Sequence, residues 1–247
     1  MQLPAVSQNT ATCRFHACAS GSQPAPSPTD SAANFALRIN STEVEVTPCF
    51  GFYFPMPKSP AKILVHPLTP ERWTDFEHLF GKRGACGGCW CMLWRLGRGE
   101  FEQQKGAGNR RAMQALVESG ARTGLLAYLG KAAVGWCAVA PRKDYPGLAR
   151  SRILKPIDEQ PVWSVSCLFV ARPHRRKGVS IALLKAAVAH VRMNGGRMVE
   201  GYPQEPKAGR MPDVFAWTGT ASAFRKAGFN EVARPAPTRP IMRCPVQ

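Results

Sequence analysis

The residues best placed to do chemistry form one run, Val170-Ala-Arg-Pro-His-Arg175-Arg176-Lys177-Gly178-Val179-Ser180. An apolar stripe of helical spacing begins at Val179, so the basic turn sits where a helix starts. Such a turn gathers several backbone N–H groups into one concavity, at a helix end whose dipole favours negative charge. That is the chemistry of a diphosphate cradle. Gly178 lets a ligand approach the backbone closely, Ser180 is too small to block it, and Arg175, Arg176 and Lys177 add charge at the rim. Taken alone, the same residues also read as a solvated basic turn before an ordinary helix.

A second run, Cys86-Gly-Gly-Cys89-Trp90-Cys91, has three closely spaced thiols that could bind zinc or exchange disulfides. The motif is incomplete, because no second Cys-x-x-Cys follows and only His78 lies nearby upstream. We expect no metal. Just beyond it, Trp90, Met92, Trp94 and Arg95 could offer apolar area and ring faces that attract a cation. Core packing of the two tryptophans is the equal alternative.

The elements that must position these runs alternate in type, as in an α/β chain. Ile63–Leu68 reads as a strand, followed by Thr69-Pro70-Glu71 as the opening of a helix that runs to about Phe80. A second helix is expected over Asn109–Ser119, closed by Gly120. Thr123–Leu129 and Lys131–Ala140 flank Gly130 as a hairpin. Val162–Val170 is apolar enough to be the central strand, buried on both faces. Val179–Asn194 carries Leu184, Val188 and Val191 on one helical stripe. Arg197–Tyr202, Phe229–Ala233 and Ile241–Arg243 complete the strands, with a short helix at Thr220–Ala227.

Residues 1–60 differ. They contain eight prolines, sum to zero charge and show no sustained period, which predicts a disordered extension before a domain spanning 61–247. A transit peptide is the weaker reading for so few basic residues, and Met56 is an alternative start. The whole excess charge of the chain, +17, therefore lies in residues 61–247, where 30 bases face 13 acids. Such a surface draws anions, be they phosphorylated cofactors, nucleic acid or acidic membranes. No apolar stretch approaches the roughly 18 residues of a membrane span, and helix-turn-helix, zinc-finger and aromatic RNA-binding motifs are missing. Nine cysteines, an odd number in a chain of 247 residues, fit reduced thiols in a cytoplasm.

Residues 63–243 together resemble the GNAT superfamily of acyl-CoA-dependent N-acetyltransferases. Its pattern Arg/Gln-x-x-Gly-x-Gly/Ala is carried by Arg175, Gly178 and Ser180, serine departing from the usual last residue. Downstream, Gly219-Thr-Ala-Ser-Ala-Phe224-Arg-Lys-Ala-Gly228-Phe229 looks like the superfamily's closing helix and strand. A Walker lysine loop and a dinucleotide Gly-x-Gly-x-x-Gly are both absent.

The resemblance implies an α/β (α+β) fold, with a mixed, mostly antiparallel central sheet flanked by helices and splayed between its fourth and fifth strands. It implies acetyl-CoA as co-substrate, its pantetheine arm pairing with backbone at Phe169 and Val170 and its diphosphate held by Arg175, Arg176, Lys177, Gly178, Val179 and Ser180. The reaction would be direct attack by a primary amine in a ternary complex. Glu200, near the end of the fifth strand, is then the candidate base, with a salt bridge to a nearby arginine as the alternative. Phe224 stands where many relatives carry an acidic tyrosine, so Tyr202 and Ser222 are the substitutes. Trp90, Trp94 and Arg95 would border the acceptor. The acceptor itself stays open among polyamines, antibiotics, amino acids and protein amines, as does a homodimer. A nucleic-acid-binding module and a catalytically silent acyl-CoA sensor are the competing readings.

Overall fold

The computed structural model describes residues 62–206 and 213–247; the expectations for residues 1–60 lie outside the described residues. Seven strands make one sheet: β1 Ile63–Pro67, β2 Gly124–Leu129, β3 Ala132–Pro141, β4 Trp163–Val170, β5 Met198–Gly201, β6 Asn230–Ala236 and β7 Arg239–Pro245. Their spatial order is β1-β2-β3-β4-β5-β7-β6. All neighbours are antiparallel except β4 and β5. The sheet is thus mixed and mostly antiparallel. Gly130, at φ 60°, turns the β2–β3 hairpin, and VWSVSCLFV takes the central place its continuous apolarity calls for.

Helices cover both faces. Helix α5, Val179–Met193, buries Val179, Leu183, Leu184, Ala187 and Val191 against one face, where Val165, Leu168, Phe224 and Phe229 complete the core. Helices α1, Trp73–Phe80, and α3, Ala107–Glu118, cover the other, packing Phe76, Phe80 and Met113 on Leu126 and Trp136. A third, smaller core gathers Tyr145, Leu148, Leu154, Tyr202 and Ile241. Thr69 precedes a 3-10 turn at Pro70–Arg72, but its hydroxyl accepts from the Arg72 guanidinium at 3.2 Å and caps no amide. Two short helices, α2 Arg98–Gln103 and α4 Pro146–Arg150, interrupt stretches without a helical stripe. Each is fastened by one buried apolar residue, Phe101 or Leu148.

The feature that matters for a site is in β4. On its β3 side the register runs Ala138 opposite Cys167 and then Val139 opposite Val165, so Ser166 is an extra residue, a β-bulge. On its β5 side, pairing covers only Trp163–Val165 against Val199–Gly201. The two strands part where the bulge begins. Phe224, on α6 (Ala221–Lys226), sits in the gap: a Cβ at Gly201 would lie 2.1 Å from its ring, and one at Gly219 would lie 2.9 Å from it. Thr220 starts that helix by accepting from the Ala223 amide at 3.4 Å. Phe224 is fully buried against Phe229. Replacing Phe224 by alanine should therefore cost about 3–5 kcal/mol in chemical denaturation, through lost burial and the cavity left. A loss below about 1 kcal/mol would mean that the gap collapses without it.

Candidate active site

Where β4 and β5 part, a cavity of about 360 Å³ opens. Leu168, Phe169 and Val170 of β4 form one wall, and His174, Arg175, Arg176, Val179 and Ser180 form its end. Ala216, Trp217, Gly219 and Thr220, from the 3-10 segment Asp213–Thr218 and the residues after it, close the far side. Ala85 and Cys86 complete the rim.

The turn into α5 presents a row of main-chain donors. Arg176 and Gly178 both adopt positive φ, 62° and 80°, which reverses the chain twice before the helix starts. A left-handed backbone suits glycine and is unfavourable for arginine. The first helical bond runs from the Ala182 amide to the Gly178 carbonyl at 3.0 Å. Gly178 has no side chain to cap the end, and among the described residues the amides of residues 176–181 meet no acceptor. A Cβ built on Gly178 meets no described atom within 4 Å. Arg175 donates from Nε to the Val170 carbonyl at 3.0 Å and so ties the turn to the end of β4. Arg176 and Lys177 are exposed.

Of the residues expected to meet a cofactor, Phe169, Val170, Arg175, Arg176, Val179 and Ser180 line this cavity, while Lys177 and Gly178 form the outer turn. The β4 edge facing it has no strand partner beyond Val165 among the described residues.

Glu200 is elsewhere. It is 1 % exposed, and Oε1 accepts from Arg142 Nη1 at 2.8 Å and from Tyr202 Oη at 2.7 Å. Oε2 accepts from Arg243 Nε at 2.8 Å, and Arg243 continues to Asp158. Tyr202 Oη also lies 2.8 Å from Ser164 Oγ and meets Arg142. Burial, reinforced by the Glu200 charge, pushes the Tyr202 phenol well above its ordinary range. A carboxylate so engaged has no lone pair aimed at a substrate, and a phenol so held is a poor acid. The arginine salt bridge that was the alternative for Glu200 is what the geometry contains. Ser222 is exposed on α6, 3.2 Å from Thr220 Oγ1, and Thr220 rather than Ser222 lines the cavity.

The expected acceptor residues divide. Trp90 is 5 % exposed and stacks in the α1 core, with ring centroids 6.5 Å from Trp73 and 5.7 Å from Phe80, which corrects its placement at the substrate. Met92 is buried in the same core. Trp94 stacks on Trp217 at 6.1 Å and so backs the cavity wall. Arg95 lies over the Tyr145 ring, 4.6 Å from its centroid.

The thiols meet on this face too. Cys91 Sγ accepts from Trp136 Nε1 at 3.1 Å. Hydrogen bonding with Cys167, then with Trp136, and the nearby Arg95 charge pull the Cys91 thiol below its ordinary value against the effect of burial. Cys167 is held high by the same contact, and burial lifts Cys89 to about 11. All six described cysteines are unpaired, and the described residues contain no group of three or more ligands disposed to hold a metal. No described helix is long and apolar enough to cross a membrane.

Sequence reasoning missed Cys86, His174, Trp217 and Thr220 as cavity residues. Only the position of Trp217, two residues before the Gly219-Thr-Ala-Ser stretch, hinted at its place.

With this geometry in view, the likenesses to known proteins become specific. The profile of the acetyltransferase (GNAT) family matches residues 90–206, from the Trp90 turn to just beyond β5. Residues 90–206 thus carry a GNAT-family acetyltransferase domain, and acetyltransferases of that family use acetyl-CoA as co-substrate. No curated protein matches it in sequence. Solved structures with a similar chain path include an acetyltransferase from Thermus thermophilus, 18% identical, covering 75% of this chain and 98% of its own, at a TM-score of 0.41. Another is the PaiA N-acetyltransferase of Thermoplasma acidophilum in complex with coenzyme A, 14% identical, covering 74% and 98%, at 0.42. A third is a GNAT-family acetyltransferase from Listeria monocytogenes, 10% identical, covering 74% and 94%, at 0.45.

The buried network yields a direct test. Glu200→Ala leaves Arg142 and Arg243 without their buried counter-ion and should destabilise the fold by about 3–5 kcal/mol in urea titration. An unchanged midpoint would restore Glu200 as an exposed, unengaged carboxylate.

Proposed function

We propose that this protein transfers the acetyl group of acetyl-CoA to a primary amine by direct attack in a ternary complex. The observation that carries this is the row of amides at residues 176–181, which meet no acceptor among the described residues and open on a cavity where β4 has no described strand partner on its β5 side. Bound acetyl-CoA supplies the activated thioester; the protein's part is to hold and orient.

The amides and the positive end of α5 hold the diphosphate, and Arg176 and Lys177 raise the local anion concentration. The unpaired edge of β4 offers alternating N–H and C=O groups to the amide-bearing pantetheine arm, as an added strand would use them. Close to the bulge at Ser166, a backbone N–H of β4 stabilises negative charge developing on the acyl oxygen. Among the described residues no Asp, Glu or Tyr lines the cavity. Largely apolar walls disfavour an ammonium and lower its pKa, which exposes the attacking lone pair. A thiolate leaves without full protonation. In this reading Glu200, Tyr202 and Ser222 do not touch the reacting atoms; Glu200 and Tyr202 fix the closed end of the β4–β5 wedge.

A lining without Asp, Glu or Tyr among the described residues also favours one other reading, an acyl-CoA sensor without turnover. Calorimetry with acetyl-CoA tests the shared claim, and release of free CoA thiol with a panel of amines separates the two. Binding with amine-dependent release is the expected result; binding without release makes the chain a sensor, and no binding removes both. The double variant Arg176→Glu/Lys177→Glu should weaken acetyl-CoA binding about tenfold at low salt, with the gap narrowing as salt is raised. Equal affinity at all salt concentrations would count against the cradle.

A further inference from the structure

We infer that the acyl acceptor is a small amine bearing its own carboxylate, an amino acid, and that Arg95 receives that carboxylate. The inference rests on the acetyl-transfer reading above and names the substrate class of the same site.

Arg95 is half-buried in the segment between α1 and α2. Its Nη2 reaches the Arg122 carbonyl at 3.0 Å and, more loosely, the Tyr145 hydroxyl at 3.5 Å. Its Nε is fully enclosed and has no acceptor. Among the described residues no carboxylate pairs with it, unlike Arg142 and Arg243, which share Glu200. The Arg95 charge also acts on the Cys91 thiol, whose sulfur is already engaged by Trp136 and Cys167. A half-buried guanidinium with one enclosed donor left free gains from an anion that completes it. The next residue back repeats the pattern: Trp94 Nε1 is also enclosed without a partner.

Position makes these two orphan donors informative. Tyr145, under the Arg95 guanidinium, also hydrogen-bonds Ser166. Ser166 is the bulge residue at which β5 leaves β4. Arg95 therefore stands one tyrosine hydroxyl away from the reacting end of the cleft. Trp94 backs Trp217, a wall of the cavity. A carboxylate on Arg95 would place an α-amine, two bonds along, toward that end. A polyamine brings only positive charge to the same cation and would be repelled.

Initial rates with L-amino acids, the matching α-amides and spermidine test this, alongside calorimetry of acetyl-CoA. The amides have the less basic amine, so intrinsic reactivity at neutral pH favours them. We expect the reverse, with kcat/KM at least about 100-fold higher for the acids, because removing the charge leaves the Arg95 guanidinium without a counter-ion. Arg95→Met should collapse that ratio to within about threefold, with the dissociation constant of acetyl-CoA unchanged; Arg95→Lys should recover part of it. Equal use of acids and amides, or preference for spermidine, overturns the inference while leaving acetyl transfer in place. Amino-acid binding that depends on Arg95 without acetyl-CoA binding would do the opposite, sparing the carboxylate site and removing the transfer reaction.

Discussion

Backbone amides and carbonyls must be paired or solvated, and β4 obeys that demand differently along its two halves. Trp163–Val165 is bonded on both sides, whereas beyond the bulge at Ser166 β3 is the one strand neighbour among the described residues. Much of the surrounding architecture keeps it so. Phe224 occupies the space that β5 would need, and it can do so because the residues facing its ring are Gly201 and Gly219. At the closed end, Ser164, Tyr202, Glu200 and the two arginines bind four consecutive stretches of chain together. An open edge a few residues long, held open from both ends, is a binding surface by construction.

The electrostatics follow from the same division. Cations at the closed end, Arg142 and Arg243, are neutralised by a buried carboxylate and serve rigidity. Those at the mouth, Arg176 and Lys177, are exposed, and in the proposed function they draw an anion. Arg95 belongs to neither group. The strong positive charge of the chain is therefore not one property with one use, and its total says little about the site until each guanidinium is matched to its counter-charge.

Much of this was legible in the sequence, and the failures have physical causes. All seven strands and the helices α1, α3, α5 and α6 follow from apolar periodicity and from Gly130, Gly120 and Gly228. Helices α2 and α4 do not, being six and five residues long and fastened by a single buried side chain each. The turn before α5 was visible in local residue types, since the positive φ at Arg176 and Gly178 is a local feature of the chain. Glu200 was ambiguous because Arg142 and Arg243 lie 58 and 43 residues away. No spacing rule distinguishes a base from an ion-paired strut at that separation. Trp90 and Trp94 look alike in sequence, yet the left-handed turn at Trp90 and Cys91, φ 46° and 63°, sends one ring into the α1 core and leaves the other beside Trp217.

The order β1-β2-β3-β4-β5-β7-β6 has one more result. Strands β5, β6 and β7 form a leaf joined to the remainder of the sheet by three backbone rungs, so the sheet opens like a book with a short spine. Whatever lies along the free margin of β4 becomes a second binding seam between the pages. Occupancy of the cleft and cohesion of the C-terminal leaf are then a single equilibrium, in which the guest also serves as mortar.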